Sequence, residues 1–117
     1  MSQILLIDDS ADTLLLQKMF LELEGHEVVT ANSAQDGLRI LNEMGSPDLI
    51  LLDVQMPHMP GPEMLELLER TQPALLLGTP VVLLTAQDEP PVSNAAGFIH
   101  KMSGSAEFIK KVSHYLN

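Results

Sequence analysis

The chain has no cysteine, which excludes a disulfide framework and a thiolate metal centre together. That absence fits a reducing compartment, and a cytoplasmic location is the expectation. Basic residues are scarce: Lys and Arg number 6 against 16 Asp and Glu, for a formal net charge of −10. A nucleic-acid surface needs a basic stripe, so no nucleic-acid partner is expected. Three of the six basic residues, Lys101, Lys110 and Lys111, fall in the last seventeen positions, and the acidity is concentrated before them. No run of eighteen apolar residues occurs, and no basic region precedes the first apolar stretch. Neither a membrane span nor a signal peptide is therefore read, and no membrane partner is expected. Repeats, low-complexity tracts and linkers are missing as well. What remains is 117 residues, 45% hydrophobic and 19% charged. Such a chain forms one soluble domain and buries roughly two-thirds of its unfolded surface.

Four short apolar runs are present, and each ends on a polar residue. Ile4-Leu5-Leu6-Ile7 leads into Asp8-Asp9, and Leu49-Ile50-Leu51-Leu52 into Asp53. Val81-Val82-Leu83-Leu84 leads into Thr85, and Phe98-Ile99-His100 into Lys101. Runs of this length between turn signals read as strands buried on both faces. Helical patterns alternate with them. Leu14, Leu15, Met19 and Leu23 recur at helical spacing before a stop at Gly25. A short strand over Glu27–Ala31 follows. Ser33 and Asp36 make a capping-box-like start for a helix through Leu38, Leu41 and Met44, closed by Gly45. Beyond Asp53 a turn-rich stretch, residues 56–61, precedes a third helix with Pro62 at its first position and Met64, Leu65 and Leu68 on toward Arg70. A last helix over about residues 105–116 places Phe108, Ile109, Val112 and Leu116 on one face. This alternation implies βαβ units: one doubly wound α/β domain over residues 1–117, with a parallel sheet covered on both sides.

In an open parallel sheet, chemistry gathers outside the carboxyl ends of the strands. Asp8, Asp9, Asp53, Thr85 and Lys101 therefore converge in one crevice. Two like charges 4 Å apart repel by about 4 kcal/mol at an effective dielectric of ~20, enough to shift a carboxylate pKa by about three units. One ammonium against three carboxylates leaves −2, which a divalent cation neutralises. Oxygen-only ligands favour Mg²⁺ over zinc. An Asp-Asp pair by itself equally suits a helix cap with a first-turn acid, but Asp53 at the end of a second buried strand has no such role. Asp53 reads as a nucleophile that forms an acyl phosphate, with cation and ammonium stabilising the phosphoryl oxygens. Thr85 is placed to donate its hydroxyl to the same group. Taken singly, Thr85 is an ordinary strand residue and Lys101 an ordinary loop lysine; their order and placement carry the reading.

With these residues in place, the chain resembles the response-regulator receiver domain of two-component signalling over essentially its whole length. The matching stretches are residues 4–10 (ILLIDDS), 48–61 (DLILLDVQMPHMPG), 80–86 (PVVLLTA) and 98–101 (FIHK). The spacing Asp53…Met56-Pro57…Gly61 is the most specific. The resemblance implies a flavodoxin-like, five-stranded parallel sheet of order 2-1-3-4-5. It implies Asp53 as acceptor of a phosphoryl group from a histidine kinase or a histidine phosphotransfer protein. It further implies Mg²⁺ held directly by Asp9, Asp53 and the Gln55 backbone carbonyl, with Asp8 acting through water. Thr85 and Phe98 would form a switch pair, the ring turning inward behind the hydroxyl; an ordinary core aromatic is an equal reading of Phe98. Gln55 and Gln87 stand where relatives vary the lifetime of the phosphoryl group.

Three departures accompany the resemblance. Met102 follows the lysine where the family usually has a proline in a cis peptide, which a non-proline residue disfavours by roughly 2.5–4 kcal/mol. Only fifteen residues, 86–100, separate Thr85 from Lys101, and Pro90-Pro91 leaves room for a short or irregular fourth helix about one turn long. Ala74-Leu75-Leu76-Leu77 is apolar where a polar loop is expected; it reads as cover for the sheet end or, alternatively, as a docking patch. The leading reading is a stand-alone, chemotaxis-regulator-like response regulator whose output goes through an unidentified partner protein, near the last helix and neighbouring loops. A degenerate receiver that only binds protein is the alternative. An aspartyl-phosphate phosphatase of the haloacid-dehalogenase type is disfavoured, because Ser10 and Ala11 occupy the places of its second aspartate. A flavin-binding flavodoxin lacks its phosphate cradle here.

Overall fold

Residues i and i+2 of a strand face the same side of a sheet, so each apolar run supplies both faces. The computed structural model describes residues 2–89, 91–101 and 103–116. In chain order they form β1 (Gln3–Ile7), α1 (Ala11–Leu23), β2 (Glu27–Ala31), α2 (Ala34–Met44), β3 (Leu49–Asp53), α3 (Gly61–Thr71), α4 (Pro73–Gly78), β4 (Val81–Thr85), β5 (Gly97–His100) and α5 (Ser105–Tyr115). The strands make one sheet of order β2-β1-β3-β4-β5, every pair parallel. This is the flavodoxin-like arrangement expected from the sequence. Leu5, Ile7, Ile50, Leu52, Val81 and Leu83 point to one face and pack against Leu41 of α2 and Met64, Leu65 and Leu68 of α3. Ile4, Leu6, Leu49, Leu51, Val82, Leu84 and Ile99 point to the other, against Leu14 and Leu21 of α1 and Phe108 and Val112 of α5.

Local chemistry sets the helix ends. Ser10 caps α1, its Oγ accepting the Thr13 N–H at 3.3 Å, and Ser33 caps α2 by accepting from Asp36 N–H at 3.1 Å. Gly45 closes α2 at φ 82°, a conformation glycine adopts without strain. Pro62 lies in the first turn of α3, one place after Gly61 begins it.

Three expectations change in detail. On α1 the buried residues are Leu14, Gln17 and Leu21, while Leu15, Met19 and Leu23 face outward. The helical period was legible, but a helix apolar on several sides does not declare which side faces the core. The run Ala74–Leu77 lies in the short helix α4, with Leu75 and Leu76 half-buried against the core and Leu77 91% exposed. Between β4 and β5 the described residues form no helix at all; they make a chain of bends. The expectations attached to Met102 and Pro90 lie outside the described residues.

Gly61 ties the fold to the β3 terminus. Its N–H donates to Val54 O at 3.0 Å, and a Cβ placed there would collide with the backbone oxygen of Asp53. Backbone cannot swing aside as a flexible side chain can. Gly61→Ala is therefore expected to lower the unfolding free energy by about 2 kcal/mol or more. Gly78→Ala, whose Cβ would meet open space, should stay within about 0.5 kcal/mol of wild type. Urea unfolding of the two variants checks the contrast.

Candidate functional site

The parallel order places the ends of β1, β3, β4 and β5 side by side, and their terminal residues form the site. Asp8 follows β1, Asp53 ends β3, Thr85 ends β4 and Lys101 follows β5. The backbone ladder runs one residue past β5, Lys101 N–H donating to Thr85 O at 2.8 Å, which fixes where the lysine side chain starts. From there it reaches across β4. Lys101 Nζ lies 2.8 Å from Asp8 Oδ2 and 3.0 Å from Asp53 Oδ1. Asp8 is fully buried, and its other oxygen accepts the Ser10 N–H at 3.0 Å. Asp53 Oδ1 also accepts the Gln55 N–H at 3.3 Å. Asp53 Oδ2 is buried and, among the described residues, has no hydrogen-bond partner.

Asp9 is exposed at the rim, and one oxygen each from Asp8, Asp9 and Asp53 lies within 4.8 Å of the others. Three carboxylates against one ammonium leave −2 in this space. An orphaned buried oxygen among hard oxygen donors, with charge left to neutralise, fits a divalent cation of the Mg²⁺ type. Thr85 is buried, and its Oγ1 accepts the Gln87 N–H at 3.0 Å. Phe98 is 39% exposed, so it is not an ordinary core aromatic. Its register partner is Leu83, while Thr85 pairs with His100; Thr85 and Phe98 therefore share a face, two residues apart.

A cleft of about 690 Å³ opens over Asp53, with Asp9, Gln55, Thr85 and Lys101 at its polar end. Its remaining wall contains Met56, Pro57, Pro60, Pro62 and Pro91. This wall went unread in the sequence, where the only signal was proline density on two loops that the fold brings together.

Burial dominates the electrostatics of Asp53. It raises the Asp53 pKa from 3.8 to about 6; the negative charge of Asp8 adds to the rise, while Lys101 and the Gln55 N–H oppose it. Burial pulls the Lys101 ammonium down, but its hydrogen bonds and attraction to Asp8 and Asp53 prevail and leave it above its ordinary value.

The sequence profile of the response regulator receiver domain matches residues 4–113. The chain belongs to the response regulator receiver family. It is 42% identical over 89 residues to the transcriptional regulatory protein CpxR homolog of Haemophilus influenzae, covering 76% of this chain and 36% of that protein. Identity to the transcriptional regulatory protein GlrR of Escherichia coli is 38% over 95 residues, 81% of this chain and 20% of that one. The receiver thus spans between a fifth and about a third of these curated relatives' length. Among solved structures, the chemotaxis response regulator CheY4 of Vibrio cholerae superposes with a TM-score of 0.88 at 26% identity, covering 99% of each chain. The N-terminal domain of a receiver protein from Methanoculleus marisnigri gives 0.78 at 32% identity, covering 97% of this chain and 95% of that one.

The raised Asp53 pKa has a consequence for stability. Between pH 3.8 and about 6 the folded receiver keeps a proton on Asp53 that the unfolded chain has lost. Folded stability therefore falls as pH rises through that window and carries the full cost of the carboxylate above it. Asp53→Asn removes the cost. In chelator, the variant should match wild type near pH 4 and exceed it by on the order of 1–2 kcal/mol above pH 6. Urea unfolding across that range is the measurement.

Proposed function

We propose that this receiver accepts a phosphoryl group from a phosphohistidine donor onto Asp53 and thereby switches its interaction with a partner protein. The observation that carries the proposal is the state of Asp53. Asp53 lines the cleft; one of its oxygens is tied to Lys101 and the Gln55 N–H, and the other is buried and, among the described residues, unpartnered. A carboxylate held at one oxygen presents the other as nucleophile. That oxygen attacks phosphorus, the P–N bond breaks as the P–O bond forms, and the departing imidazole takes up a proton from solvent. Asp9, Asp53 and the Gln55 carbonyl would hold Mg²⁺, with Asp8 acting through water; the cation supplies charge neutralisation at the phosphoryl oxygens. Lys101 balances the new charge from the opposite side, and the Thr85 hydroxyl donates to a phosphoryl oxygen. Phe98 shares the Thr85 face and is the proposed aromatic partner of the switch.

Catalysis on this reading is confined to the domain's own phosphorylation and dephosphorylation. The donor is a histidine kinase or a histidine phosphotransfer protein. The output partner is a protein, of a kind the relatives' role in transcription does not define for this chain. An aspartyl-phosphate phosphatase of the haloacid-dehalogenase type would need a second aspartate two positions after its nucleophile on the first strand, where Ser10 and Ala11 stand.

Incubation with a small phosphodonor and Mg²⁺, followed by intact mass, should add one phosphoryl group. Asp53→Ala and added chelator should each abolish the gain, and a gain that survives either one refutes the assignment. Asp9→Ala should lose metal affinity at least tenfold and phosphorylation with it. Lys101→Ala should still be phosphorylated but no longer transmit the change to Thr85 and Phe98. Metal titration and the Phe98 ring signals in NMR read the two variants apart.

A further inference from the structure

The cleft over Asp53 is polar at one end only. Asp9, Gln55, Thr85 and Lys101 gather beside the carboxylate, and the remaining wall contains Met56, Pro57, Pro60, Pro62 and Pro91. Proline has no N–H. Two other N–H groups of the same loop are bound within it or to its base, Met59 donating to Pro57 O at 2.8 Å and Gly61 to Val54 O at 3.0 Å. The wall therefore offers hydrocarbon rather than donors. It is also held in place before anything binds. Proline rings fix their own φ and lose no side-chain freedom when covered. Gly61 ties the first loop to β3. The segment that carries Pro91 is tied by Asn94 Nδ2 to Glu69 Oε2 and by Ala96 N–H to Val81 O, each at 2.8 Å.

We propose that this wall seats the leaving group of the phosphodonor and makes the receiver prefer a flat ring with apolar faces, an imidazole on phosphorus, over a small polar leaving group. The inference rests on Asp53 being the acceptor, as proposed above. On that reading the phosphoryl group lies at the polar end, beside Lys101 and Thr85. In-line transfer sets the leaving group on the side of phosphorus away from Asp53, toward the part of the cleft that the prolines bound. The cleft, about 690 Å³ in volume, has room for both. As the P–O bond to Asp53 forms, the P–N bond breaks and the released nitrogen takes up a proton from solvent. An imidazole can leave its ring face on the prolines throughout. Ammonia leaving from the same place keeps its hydrogen bonds to water and gains nothing from hydrocarbon. Roughly 50–60 Å² of ring covered by the wall corresponds to about a tenfold preference in rate.

Intact mass followed over time gives second-order rate constants for phosphoimidazole and for phosphoramidate, which has the same type of P–N bond and releases ammonia. Their ratio is the readout, so a change in the reactivity of Asp53 itself cancels. Pro60→Ser combined with Pro91→Ser should lower the ratio by about fivefold to tenfold, and Pro91→Ser alone by about twofold to threefold. Pro60→Leu combined with Pro91→Leu keeps the hydrocarbon without the rings and should hold the ratio within about twofold of wild type. Circular dichroism verifies folding. Pro60 precedes α3 without a side-chain cap, so serine there suits the helix start. A ratio unmoved by the serine exchanges, or lowered as much by the leucine exchanges, overturns the inference and leaves Asp53 the acceptor. If neither donor phosphorylates Asp53, the underlying reading falls and the inference falls with it.

Discussion

The contact on which the site depends is the double ion pair of Lys101 with Asp8 and Asp53. It joins the ends of three strands, and among the described residues it is the one positive charge set among the three carboxylates there. Without it, two buried acids would face each other in a medium where repulsion at contact distance amounts to several kcal/mol. With it, Asp8 stays buried, and Asp53 keeps one oxygen that is unpartnered among the described residues. The ammonium is itself half-desolvated, yet it remains charged because both carboxylates hold it. The compensation is incomplete, since Asp53 still titrates near 6. A buried carboxylate that is disfavoured in its free ionised form gains most from a neutralising charge placed beside it.

The connection from β4 to β5 shows how a missing element is accommodated. A parallel crossover ordinarily runs through a helix, but the described residues between β4 and β5, 86–89 and 91–96, cross as an irregular strap. Among the contacts that hold it are Gln87 N–H to Thr85 Oγ1, Asn94 Nδ2 to Glu69 Oε2 at 2.8 Å, Ala96 N–H to Val81 O at 2.8 Å, and Asp88 Oδ1 beside His100 Nε2 at 3.7 Å. β4 is fully buried, Val81 and Leu83 on the side of α3 and Val82 and Leu84 on the side of α1 and α5. Phe98 on the edge strand stays half in solvent, and Val92 of the strap is fully exposed. The same strap brings Pro91 to the wall of the cleft, so its irregular path shapes the surface beside Asp53.

Much of this was legible because the relevant rules are local. Uninterrupted apolar runs of four residues make fully buried strands, and the polar residue after each run must then sit at a strand end. Ser10 and Ser33 start helices through hydrogen bonds within three residues, and Gly45 stops one through its own φ. Pro90-Pro91 forbids a full helix before the strap is ever folded. The acid cluster followed from strand order plus the placement of acids, and the family resemblance added the roles.

What the sequence alone could not decide depends on distance through space. The rotation of α1 was open, because Leu14, Leu15, Leu16, Met19, Leu21 and Leu23 make an apolar periodicity without a unique phase; packing against β1, β2 and α5 chose the side carrying Gln17. The fate of Ala74–Leu77 was open, because an apolar run of four beside a proline suits a strand, a loop or a helix turn until α3 offers a surface to lie on. The reach of Lys101 across β4, and the proline wall assembled from two loops about thirty residues apart, exist only once the sheet has set its order. Composition and local pattern determined the elements and the charges at their ends. Tertiary packing decided which faces met, because that choice is made by surfaces separated along the chain and brought together only by the fold.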